Sequence, residues 1–154
     1  MADALLRRGF SDAAHFIEKI ASDSRRLLHK SSAIGNESVL RGDELATVWN
    51  ECREANWDGF GAMPVTQDTL RNAYILLESL PLGFPAPSIS AEPDGDLTLE
   101  WHRGVRRTLS VSVTADGDLH YAALLGANRV YGTEAFFGDI PDAIRDLVRR
   151  VDAT

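Results

Sequence analysis

Apolar residues recur at helical spacing through the N-terminal half of the chain and at alternate positions through its middle. That change of period, from about 3.6 to about 2, divides a helical part from a stranded one. In SDAAHFIEKIASDSRRLLHK, the residues Phe16, Ile17, Ile20, Leu27 and Leu28 share a helical face, with Ser11 or Asp12 placed as a cap. SSAIGNES interrupts the pattern, and Gly35 reads as a helix terminator. GDELATVWNECREA predicts a second helix. Its stripe is Leu45, Val48, Trp49 and Cys52, and Asp43 and Glu44 stand in the first turn, where the helix dipole favours carboxylates. A third helix is expected after Thr66 as N-cap, facing inward through Leu70, Ala73, Tyr74, Leu77 and Leu80 and ended by Pro81 and Gly83.

Beyond the stiff connector PLGFPAP, three segments alternate: Leu97, Leu99 and Trp101; Leu109, Val111 and Val113; Leu119, Tyr121 and Ala123. The string Asp-Gly-Asp-Leu occurs twice between them, beginning at Asp94 and Asp116. Neither copy continues into the spacing of a calcium loop, so both read as turns. A two-residue Asp-Gly turn would set Val113 opposite His120 and mix apolar with polar faces. A three-residue loop, Pro93-Asp94-Gly95 or Ala115-Asp116-Gly117, keeps the faces consistent and puts glycine in the left-handed position of a G1 bulge. The register that follows makes two apolar rows: Ile89, Leu99, Val111, Tyr121 and Ala91, Leu97, Val113, Leu119. RGVRR joins the second and third strands, a shorter fifth strand is expected in RVYGTEAF, and GDIPDAIRDLVRRV predicts a closing helix capped by Asp139. Its apolar stripe is Ile140, Ala143, Ile144, Leu147, Val148 and Val151.

The expected fold is α+β: N-terminal helices, an antiparallel meander of four to five strands, and a C-terminal helix, with all helices on one sheet face. One domain is expected over residues 1–154, with a helical part over 1–82, the meander over 88–136 and the last helix over 139–152. No strand–helix–strand alternation or glycine-rich phosphate loop supports a nucleotide-binding fold.

Composition narrows the function classes. A formal net charge of −7 disfavours non-specific nucleic-acid binding; an acidic surface suits a basic protein partner or, more commonly, serves only solubility. The single Cys52 excludes an intramolecular disulfide framework and reads as a buried, inert thiol. No apolar run approaches the ~20 residues of a membrane span, and MADALLRRGF is too short in apolar residues for a secretory signal, so a cytoplasmic location is expected. The histidines lack metal-ligand spacing, and neither a metal nor a cofactor is expected.

Candidate chemistry gathers on the polar sheet face. The register puts Ser90, Thr98, Ser112 and His120 in one cross-strand row, flanked by Glu100, Ser110 and His102. Opposed residues have Cβ atoms about 5 Å apart, so Ser112, His120 and Glu100 form a conceivable nucleophile, base and orienting acid of a small hydrolase or transferase. No nucleophile elbow or oxyanion hole accompanies them, and Ser, Thr, Glu and His are also what a solvated or partner-binding face is made of. Thr98, Glu100, His102, Ser112 and His120 are therefore taken as binding-face residues. Arg103, Arg106 and Arg107 add a basic spot on one hairpin tip that suits an anion or an acidic segment.

ANWDGFGAMPVT lies between two helices. Gly59 and Gly61 permit unusual backbone angles, Trp57 and Phe60 are expected to bury, and Asp58 is expected to accept backbone N–H groups in the same corner. Trp57, Asp58, Gly59, Phe60 and Gly61 thus read as a structural loop. NWDGFGAMPV, with the following helix, EPDGDLTLEW and LSVSVTADGDLHY, resembles a family of small uncharacterised bacterial proteins that share an N-W-D-G-aromatic-G-A-x-P segment before a helix and a β-meander. The resemblance spans roughly residues 50–150 and implies bacterial or phage origin and the domain layout, and no catalytic residue. The functional expectation is a non-catalytic protein-binding module, such as an antitoxin-like, immunity-type or anti-defence (anti-CRISPR-like) inhibitor. Its expected partner is a protein, with homodimer pairing through the open sheet face as a variant. The competing expectation is the hydrolase or transferase.

Overall fold

Alternate apolar residues in the middle of the chain form a five-stranded antiparallel sheet in the order β1-β2-β3-β4-β5. The strands are β1 (Ser88–Ala91), β2 (Leu97–Gly104), β3 (Arg107–Val113), β4 (Asp118–Leu125) and β5 (Asn128–Ala135). The structure is a computed structural model that describes residues 15–20 and 35–153. Within these, a helical segment α1 (residues 15–20) and helices α2 (Gly35–Cys52) and α3 (Gln67–Glu78) precede the sheet, and α4 (Asp142–Asp152) follows it. The fold is α+β with the helices packed on the sheet.

The register is the one the alternation selects. Ile89 pairs with Leu99, Leu99 with Val111 and Val111 with Tyr121, beside the row Ala91, Leu97, Val113 and Leu119. Both Asp-Gly copies are three-residue loops. Glu92 N–H reaches Asp96 O at 2.9 Å and Gly95 N–H returns to Glu92 O at 3.0 Å. In the second copy Thr114 N–H reaches Asp118 O at 3.1 Å and Gly117 N–H returns to Thr114 O at 3.3 Å. Gly95 and Gly117 hold φ of 94° and 88°, the left-handed conformation that glycine enters without steric cost. The fifth strand is a full one and pairs with β4 from Asp118 opposite Ala135 to Leu125 opposite Asn128.

One hydrophobic cluster joins Leu45 and Trp49 of α2, Leu70, Tyr74 and Leu77 of α3, Leu99, Val111 and Leu119 of the sheet, and Ile144, Leu147, Val148 and Val151 of α4. Each fully buried Leu or Val contributes on the order of 1.5–3 kcal/mol relative to exposure, so this shared face is the main stabilising term. Phe16, Ile17 and Ile20 of α1 pack against it. Cys52 is buried, and that burial raises its thiol pKa. The other features expected of the first helix (Ser11, Asp12, Leu27 and Leu28) lie outside the described residues.

Three boundaries differ from the pattern reading. Gly35 is the first described residue of α2 and already has helical backbone, where it was expected to end a helix. Gly42, expected at the helix start, lies inside it with Ile17 and Tyr74 beside its α-carbon. α3 has Thr66 as N-cap, its hydroxyl accepting from Thr69 N–H at 3.3 Å, but ends at Glu78. There the C-terminal carbonyls are met by Ser79, whose backbone N–H and hydroxyl turn back onto Ile75 and Leu76 before Pro81 is reached. α4 begins at Asp142 with Pro141 as N-cap and no side-chain cap. Pro141 is extended (ψ 143°) and its carbonyl accepts the first helical bond, from Arg145 N–H at 2.9 Å, so the helix starts two residues later than a cap at Asp139 would set it.

Candidate functional site

The sheet face opposite the helices is open and polar. Its central row runs Ser90, Thr98, Ser112, His120 and, on β5, Thr133. A second row runs Ser88, Glu100, Ser110, Ala122 and Tyr131, with Tyr131 82% exposed. The polar groups pair across strands. Thr98 and Ser112 hydroxyls share a bond of 3.0 Å, and Ser110 donates to Glu100 Oε2 at 3.1 Å. His102 Nδ1 meets Thr108 Oγ1 at 3.0 Å, and His120 Nδ1 meets Thr133 Oγ1 at 2.8 Å.

Ser112 and His120 are direct cross-strand partners, so sequence reasoning placed them side by side correctly. Their hydrogen bonds go elsewhere. Ser112 pairs with Thr98, His120 with Thr133, and Glu100 with Ser110 two residues from Ser112; among the described residues no hydrogen bond joins Ser112 to His120. Asp96, the residue before β2, has its carboxyl pKa raised. Burial is the first cause, and the neighbouring Asp94 and Glu92 add to it against a lowering by His120.

The three arginines expected on one hairpin tip have separate roles. Arg103 is ion-paired with Asp152 of α4, its Nε donating to Oδ1 at 2.8 Å. Arg107 donates to the carbonyl of Arg150 near the end of α4 at 3.3 Å. Arg106 and Arg107 line a shallow depression with Leu125, Gly126, Arg150 and Ala153. The tip therefore fastens α4 to the sheet, leaving Arg106 and Arg150 outward beside an apolar floor.

The loop from Asn56 to Met63 is held by its own hydrogen bonds. Asn56, at φ 62°, donates its N–H to Ala62 O at 2.7 Å, and its side chain accepts Gly61 N–H at 2.7 Å. Asp58 Oδ1 accepts the N–H groups of Phe60 at 2.8 Å and Ala62 at 3.0 Å, and these bonds lower its pKa. Trp57 Nε1 donates to Met63 O at 3.0 Å, and Met63 N–H to Pro93 O at 2.8 Å, tying the loop to the β1–β2 turn. The Asp58 bonds are those expected. The burial is not. Trp57 is only half-buried, and Phe60 is 94% exposed. With Asn56, Gly59 and Gly61 all at positive φ, the chain curls so that Trp57 folds inward while Phe60 sits at the outward apex.

Sequence reasoning did not single out Phe60, Tyr131 or Phe137 as exposed aromatic residues; Phe137 is 92% exposed. A phenylalanine between two glycines was a usable signal, because it lacks neighbours that would set a buried face. Among the described residues, no group of three or more His, Cys, Asp or Glu side chains is placed to hold a metal ion, and no helix is long and apolar enough to cross a membrane. Comparison with protein-family models, curated proteins and solved structures returns no match.

Proposed function

We propose that this chain is a non-catalytic protein-binding module of bacterial or phage origin, an inhibitor of the antitoxin-like, immunity-type or anti-defence kind. The observation that carries the reading is the cross-strand pairing of the open face. Ser112, His120 and Glu100 each satisfy a different neighbour, and a nucleophile needs its base as its own partner. The face that remains is hydroxyl-rich, with Thr98 buried in its central row, and is set with an exposed tyrosine, a residue enriched where proteins meet. Five strands at about 4.8 Å and seven residues at about 3.3 Å give it an area of roughly 550 Å². A standard interface takes about 800 Å² from each partner, so binding extends past the sheet face onto an adjoining end.

The test is affinity capture of a partner from the native host by the tagged chain and by its Ser112→Ala variant, with hydrolase turnover measured on the same preparations. The expected result is one stoichiometric partner retained by both forms. Turnover that Ser112→Ala or His120→Ala abolishes would overturn the reading in favour of the hydrolase.

A further inference from the structure

Resting on that binding-module reading, we infer that the end of the sheet carrying the 56–63 loop docks a partner protein whose basic surface bears an apolar pocket, with Phe60 as the inserted anchor. The meander brings four segments to this end: the loop, the β1–β2 turn, the β3–β4 turn and residues 136–139 after β5. Met63 N–H binds Pro93 O, Phe136 N–H binds Gly117 O at 2.8 Å, and Asn72 of α3 donates to Thr114 O at 3.0 Å. The two turns stand two strand spacings apart, about 10 Å, so all four segments fall within one standard interface.

Three large apolar side chains project there: Phe60, Met63 at 59% exposure and Phe137. Phe60 is exposed and outside the core, yet the Asp58 and Asn56 side chains accept the backbone N–H groups of Phe60, Gly61 and Ala62. A hydrogen-bonded loop that holds an aromatic ring in water is already ordered for insertion, which removes the entropy cost that weakens flexible anchors. Aromatic residues in such positions dominate binding energies.

Charge identifies the pocket's surroundings. Asp58, Asp94, Asp96, Asp116 and Asp139 lie in these segments, which contain no Lys or Arg, and Asp118 opens β4 beside them. The raised pKa of Asp96, due to Asp94 and Glu92 after burial, reflects the same local negative potential. At the opposite end of the strands stand Arg103, Arg106, Arg107 and Arg129. A partner reaching Phe60 therefore meets carboxylates and requires Lys or Arg around its pocket to avoid leaving them desolvated and unpaired.

The experiment places p-benzoylphenylalanine at position 60, and separately at Tyr131 and Val105, in the full chain expressed in the native host. Irradiation and mass spectrometry then identify the cross-linked peptide. The expected result is a cross-link from position 60 into a Lys/Arg-rich region of one partner, lost when the lysate is brought to about 1 M salt, where the Debye length is about 3 Å. With the purified partner, Phe60→Ala should weaken binding roughly tenfold to thirtyfold at an unchanged melting temperature. Asp94→Asn with Asp116→Asn should slow association. A cross-link from position 60 to a second copy of this chain, to lipid or to an acidic surface overturns the inference. A cross-link from Tyr131 alone overturns it while sparing the binding-module reading, and no cross-link from any position overturns both.

Discussion

Replacing Gly95 or Gly117 by alanine separates two contributions that the turns combine. Both glycines sit at positive φ, 94° and 88°, so alanine at either site incurs the left-handed penalty of about 1–2 kcal/mol. Their surroundings differ. A Cβ on Gly95 would stand 3.0 Å from Pro64 O and 3.6 Å from Met63 Cβ, whereas one on Gly117 meets nothing nearer than Phe136 O at 3.7 Å. The first contact is too close to persist, so the β1–β2 turn must retreat from the 56–63 loop. That movement weakens the 2.8 Å bond from Met63 N–H to Pro93 O, worth about 1 kcal/mol. The expected costs are therefore about 2–3 kcal/mol for Gly95→Ala and about 1–2 kcal/mol for Gly117→Ala. Urea unfolding at constant m-value measures both, and each kcal/mol should move the melting temperature by about 2–4 °C. Emission from Trp57, whose indole is bound to Met63 O, should change in the native baseline of the Gly95 variant alone. Equal midpoints for the two variants would refute the close approach of loop and turn. Midpoints equal to the parent's would refute the bulged turns and with them the strand register.

Gly42→Ala should stabilise the fold by about 0.5–1 kcal/mol, because the site is helical and the added methyl meets Ile17 at 3.7 Å and Tyr74 at 3.8 Å, ordinary contact distances; a lowered melting temperature would mean that α2 packs more tightly than described. Asp96→Asn should raise stability near neutral pH, since the native environment raises the carboxyl pKa and so penalises its charged form. That advantage should shrink as pH falls through the raised folded-state pKa, where the parent takes up its proton, and a melting-temperature difference independent of pH would refute the assignment.

Much of the sheet was legible because two independent signals agreed on it. Alternation set which residues face inward, and the Asp-Gly strings set how long the turns are; only a three-residue loop satisfied both. Helix ends were less legible. Gly35 and Gly42 carry no side chain to indicate a side, and a glycine within helical backbone looks the same as one that breaks a helix. The outward pose of Phe60 was hidden for a related reason: three residues at positive φ in one loop, Asn56, Gly59 and Gly61, decide it, and apolarity alone predicted burial. The polar row was placed correctly, but which hydroxyl each histidine would choose depends on Thr108 and Thr133, which entered the reading of neither His102 nor His120. The arginines were identified as a group, whereas their use in fastening α4 required knowing that the helix returns across the sheet.

The strictly sequential order β1-β2-β3-β4-β5 has a kinetic consequence. Each strand finds its partner in the next one along the chain, so every pairing closes only a short loop and the entropy of closure stays small. Hairpins of this kind form on a microsecond scale, and a meander can extend from any one of them. The longer searches belong to the helices, because α3 and α4 reach β2 and β3 from opposite sides of the meander in sequence. Folding is therefore expected to be limited by docking of the helices onto a sheet whose register is already set, so mutations in the β2–β3 hairpin and on the docking face of α4 should both slow folding.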